Sequence, residues 1–116
     1  MLTDKQILLK ILMFFKVFNK FDNVMSRKHC MCNHVPDILS VGECPELISL
    51  AVPMPILVSN GINDQLFPVA GTKETIRQVS SIYNRFNCKD KFIGEIFDGG
   101  HQAYFGKVIE FLEKNL

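Results

Sequence analysis

Two short apolar runs, "ILVSN" after Pro53 and Pro55 and "KFIGEIF" at residues 91 to 97, flank a stretch whose apolar residues recur at helical spacing. This alternation limits the fold more than any other feature of the chain. Runs this short, rich in branched residues and bounded by proline or glycine, read as buried parallel strands. Between them, "GTKETIRQVSSIYNRFN", residues 71 to 87, sets Ile76, Val79, Tyr83 and Phe86 on one side of a helix of about four turns. The closing "QAYFGKVIEFLEKNL" gives a second helix, with Phe105, Val108, Ile109, Leu112 and Leu116 as its apolar stripe. Strand, helix, strand, helix makes a beta-alpha-beta unit with a covering helix, and the fold class is α/β with a parallel sheet.

The rest of the chain is less regular. "CPELISLA", residues 44 to 51, carries proline at a favourable first helical position and predicts a short helix. Residues 19 to 42 show little periodicity and predict loop with at most a short helical turn. The apolar segment Ile7 to Phe18 fits a helix by its spacing and a buried strand by its continuity. With Lys10 and Lys16 inside it and only about a dozen residues, it is too short to span a bilayer, and no cleavage site follows it. No membrane association and a cytoplasmic location are therefore expected.

A chain of 116 residues is the size of one domain, and 47% hydrophobic against 22% charged residues is enough apolar material for a core. Thirteen basic residues are interspersed with twelve acidic ones for a net charge of +1, which gives no footing for nucleic acid. Cys30, Cys32, Cys44 and Cys88 do not have the spacing of a disulfide scaffold and read as thiols. In "HCMCNH", His29, Cys30, Cys32 and His34 are chemically able to bind zinc. Four ligands within six residues is not the two-pair spacing of structural zinc sites, so no metal or other cofactor is expected.

In parallel α/β sheets chemistry gathers in the loops beyond the carboxyl ends of the strands. Those loops are "NGINDQLFP" and "DGGHQ". They offer Asp64 and His101, a carboxylate that can fix the tautomer of an imidazole and an imidazole that can act as general base. Gly99 and Gly100 would let the second loop turn tightly enough to aim the ring. A plainer reading stands beside this one: an aspartate in an Asn-Asp turn commonly bonds its own backbone, and a histidine after two glycines can merely cap a helix.

Together, "PMPILVSNGINDQLFPVAGTKETIRQVSSIYNRF", "IFDGGHQAYFGKVIEFLEKNL" and the earlier "HCMCNHVPDIL" resemble the C-terminal portion of an alpha/beta-hydrolase, in the dienelactone-hydrolase-like and acetyl xylan esterase-like branch. The resemblance covers roughly residues 28 to 116 and extends less securely over the first 27. It implies that Asp64 is the triad acid and His101 the triad base, in the Ser, Asp, His order of such enzymes. It implies a small-molecule ester as the substrate, and a strand within residues 8 to 18.

The nucleophile is what the sequence does not match. That family needs a serine on a G-x-S-x-G elbow, and Ser26, Ser40, Ser49 and Ser59 lack the flanking glycines. A whole hydrolase sheet also needs well over 200 residues at about 30 per strand and crossover. The expectation is a single partial domain, residues 1 to 116, holding two or three strands, acid and base but no nucleophile. Its open sheet edge would pair with another copy or with a separate N-terminal half. Two alternatives are an inactive binding or regulatory remnant, and a cysteine enzyme pairing Cys88 or Cys32 with His101.

Overall fold

The structure, a computed structural model, describes residues 36 to 116. The readings of Ile7 to Phe18 and of "HCMCNH" fall outside them. In chain order the elements are α1 (Ile38–Val41), α2 (Cys44–Ser49), β1 (Ile56–Gly61), α3 (Val69–Arg85), a 3-10 turn (Lys89–Lys91), β2 (Phe92–Phe97) and α4 (Val108–Asn115). Strands β1 and β2 pair in parallel, from Ile56 beside Phe92 to Gly61 beside Phe97. The α/β class expected from the alternation is what the chain adopts.

Alternation along the strands divides the core into two faces. On one face Ile56, Val58 and Phe92 pack with Val79 and Tyr83 of α3, and with Cys44 and Ile48 of α2. On the other, Leu57 packs with Val108 and Phe111 of α4, with Ile93 and Leu112 alongside. Covering both faces lets β1 be apolar on consecutive residues, as the sequence required. Gly94 of β2 lies under α3, where a Cβ would stand 2.5 Å from Ile76 Cγ2, so only glycine permits this close approach.

Helix α3 begins at Val69 and not at Gly71, directly after Pro68, and it ends at Arg85. Its stop is a Schellman motif: the Cys88 amide donates to the Tyr83 carbonyl at 3.0 Å and the Asn87 amide to the Asn84 carbonyl at 3.1 Å, with Asn87 at a left-handed φ of 56°. Phe86, expected on the buried face, is the cap and is 66% exposed. The face that is buried reads Gly71, Thr72, Thr75, Val79 and Tyr83, so two threonines occupy positions that hydrophobic periodicity overlooks.

The last helix departs further from expectation. It starts only at Val108, and its buried residues are Val108 and Phe111. Ile109, Phe105 and Leu116 are exposed, which overturns the stripe assigned to them. The late start goes with residue 104: Tyr104 stacks on Phe97 at 4.5 Å between ring centroids, which holds the segment before α4 as a loop against the end of β2. Helix α2 opens on a capping box between Glu43 and Glu46, with Pro45 in its first turn.

Candidate functional site

The two strands remain connected past their ends. The Ile62 amide donates to the Phe97 carbonyl at 2.9 Å, and the Asn63 amide to the Gly99 carbonyl at 2.9 Å. These bonds draw the loop after β1 against the loop after β2. Gly61 makes the approach feasible, because a Cβ there would lie 2.4 Å from the carbonyl oxygens of both Gly99 and Gly100. Neither Gly99 nor Gly100 has a left-handed φ, so the indispensable glycine faces the turn and is not in it.

This closeness brings Asp64 and His101 together. Asp64 Oδ2 lies 3.0 Å from His101 Nδ1, within hydrogen-bond range. The other oxygen, Oδ1, accepts from the backbone amides of Leu66 and Phe67, each at 2.9 Å. The plain turn reading and the paired reading thus both describe Asp64, one for each oxygen. Its side chain is 2% exposed, a burial that a carboxylate tolerates when both oxygens are bonded.

The imidazole is placed differently. Its side chain is 41% exposed, and Nε2 has no hydrogen-bond partner among the described residues. A neutral His101 that donates from Nδ1 to Asp64 presents Nε2 as a free acceptor. The arrangement is one buried, fixed carboxylate, one oriented ring, and one basic nitrogen turned away from the protein's own hydrogen bonds. Such a pair can take a proton from a nucleophile and return it to a leaving group.

Two residues that carry no chemical motif in the sequence complete the loop. The Phe67 ring stacks on His101 at 5.5 Å and 25°, while Asn60 Nδ2, at the buried end of β1, donates to the Phe67 carbonyl at 3.0 Å. The dipeptide Phe67-Pro68 held the available signal, since proline restricts the residue before it to extended conformations. Glu95 is a third residue with no sequence signal: a largely buried carboxylate inside β2, receiving the Ser59 hydroxyl at 3.3 Å.

The candidate nucleophiles are elsewhere. Ser59 is engaged by Glu95, Ser40 by the Asp37 carbonyl and Ser49 by the Pro45 carbonyl. Cys88 is buried before β2, its thiol on the Tyr83 carbonyl, whereas His101 follows the other end of that strand. Six strand residues span about 20 Å, which removes Cys88 as a partner of His101. Ser26 and Cys32 lie outside the described residues. Among the described residues no three His, Cys, Asp or Glu side chains cluster to hold a metal, and no helix is long and apolar enough to cross a membrane.

No family model and no curated protein matches the chain. Among solved structures, it is similar to a carbohydrate esterase family 15 (CE15) glucuronoyl esterase from Caldicellulosiruptor kristjansonii, at 24% identity and a TM-score of 0.55. The match covers 62% of this chain and 19% of that one, so it spans about a fifth of the esterase's length. At this identity the likeness speaks for the fold alone: a parallel sheet with flanking helices.

Proposed function

We propose that the chain supplies the acid and the base of a serine-type hydrolase acting on carboxylic esters, Asp64 being the acid and His101 the base. The observation that carries this is the 3.0 Å contact between Asp64 Oδ2 and His101 Nδ1, with Nε2 left free. In the reaction a serine Oγ attacks the ester carbonyl while Nε2 takes its proton, and the imidazolium is stabilised by the Asp64 carboxylate. The same proton passes to the departing alcohol. Water, deprotonated by Nε2, then releases the acid and regenerates the serine.

The nucleophile and the oxyanion donors come from another polypeptide segment, because this sequence has no G-x-S-x-G elbow. The test mixes the 116-residue protein with a separately produced elbow-bearing half of an ester hydrolase and follows p-nitrophenyl acetate. Turnover above that of either part, abolished by His101→Ala, is expected. Background turnover from every mixture, with association of the halves demonstrated, would contradict the proposal.

A binding role is the second reading, favoured by exposed apolar side chains on both loops: Ile62 and Leu66 beside Asp64, Tyr104 and Phe105 after His101. In that case substituting Ile62 and Leu66 would weaken association with a partner while His101→Ala would leave it intact.

A further inference from the structure

We infer that Phe67 is a positioning residue for the Asp64 and His101 pair, holding the carboxylate through its amide and the imidazole through its ring. It rests on the reading of these two residues as acid and base. The Phe67 amide donates to Asp64 Oδ1 at 2.9 Å, and its ring stacks on His101 with centroids 5.5 Å apart and planes at 25°. One residue thus touches both partners on the sides that do not face each other.

Phe67 is itself held at four places. Its carbonyl receives Asn60 Nδ2 at 3.0 Å, its side chain is largely buried, Pro68 limits its backbone to extended conformations, and its amide is bound to Asp64. The ring is therefore a fixed wall and not a mobile loop side chain. His101 needs such a wall: with 41% of its side chain exposed and one hydrogen bond, its ring would otherwise rotate about that contact. Stacking blocks the rotation and keeps Nδ1 on Asp64, which fixes the tautomer with Nε2 unprotonated.

The test reads tautomer and ring order by nitrogen-15 NMR of the isolated 116-residue chain at about pH 9, where an ordinary imidazole is neutral. The native protein should show one tautomer, Nδ1–H, and an NOE between the Phe67 and His101 rings. Phe67→Leu should lose the single tautomer and give an exchanging mixture with the fold retained, and Phe67→Tyr should restore it. An unchanged tautomer in a folded Phe67→Leu variant would overturn the assignment. Should that variant fail to fold, absence of the native ring-to-ring NOE overturns it and presence together with the Phe67→Tyr signature supports it. Because no ester is involved, failure here is distinguishable from failure of the hydrolase reading, which His101→Ala tests by turnover in the reconstituted mixture.

Discussion

Replacing Gly61 by alanine should disrupt the candidate site without touching either of its titratable residues. The added Cβ would meet the Gly99 and Gly100 carbonyl oxygens at 2.4 Å and the Gly99 carbonyl carbon at 2.8 Å. Both obstacles are backbone, so the loop after β2 must retreat. Reaching even a 3.0 Å separation needs 3.0 minus 2.4, or about 0.6 Å, and the 3.0 Å contact of Asp64 with His101 would open to about 3.6 Å. Strain of this kind typically costs about 1 to 3 kcal/mol, and a buried carboxylate oxygen deprived of its partner adds about 1 to 3 kcal/mol. With partial relaxation the net loss should be about 2 to 4 kcal/mol. Urea denaturation, read as a lower midpoint at unchanged slope, measures it. A loss below about 0.5 kcal/mol, with native turnover in the reconstituted mixture, would refute the argument that the loops are held together by the missing side chain.

Other expectations follow from the core. The Tyr83 hydroxyl donates to the Met54 carbonyl at 2.6 Å and its pKa is pushed up to about 12, chiefly by burial and secondarily by Cys88. A folded pKa above the ordinary 10 means the contribution is complete below pH 10 and is lost as pH rises toward 12, so stability should fall by about 2 kcal/mol across that window and Tyr83→Phe should flatten the decline. Thr75 is fully buried and its Oγ1 finds no hydrogen-bond partner among the described residues, so Thr75→Val, of the same shape, should raise stability by about 1 kcal/mol in thermal or urea melts. Phe111→Ala should cost about 3 to 5 kcal/mol whereas the neighbouring Ile109→Ala should cost under about 0.5 kcal/mol, and equal losses would place the α4 stripe wrongly.

The elements that could be read from the sequence are those whose burial is continuous or strictly periodic. β1 is apolar on both faces because α3 and α4 cover it, and that signature survives in "ILVSN" without any knowledge of its neighbours. The start and face of α4 do not read from its apolar residues: Phe105 falls in the loop that the Tyr104 stack on Phe97 keeps out of the helix, and Ile109 lies within the helix on its exposed side. Thr72 and Thr75 were invisible as core positions because their burial against the sheet depends on shape and not on hydropathy.

The candidate site divides in the same way. Asp64 and His101 could be placed together from topology, since parallel neighbouring strands end at one edge and chemistry-bearing side chains follow each of them. Phe67 and Asn60 could not. A phenylalanine in a loop and an asparagine at a strand end fit any surface turn, and only the hydrogen bonds and the ring stack give them a role. Gly61 reads from sequence as a strand terminator, whereas its necessity comes from two carbonyls nearly forty residues away.

The most direct test of the central claim is a double-mutant cycle on ester turnover in the reconstituted mixture, using Asp64→Asn, His101→Ala and the pair. An acid that acts only through its base adds nothing once the base is gone. The account predicts that each single substitution lowers kcat by several orders of magnitude, about 10^4-fold for Asp64→Asn, and that the double variant is no slower than His101→Ala alone. Losses that multiply would mean that Asp64 and His101 act independently, and would contradict the account.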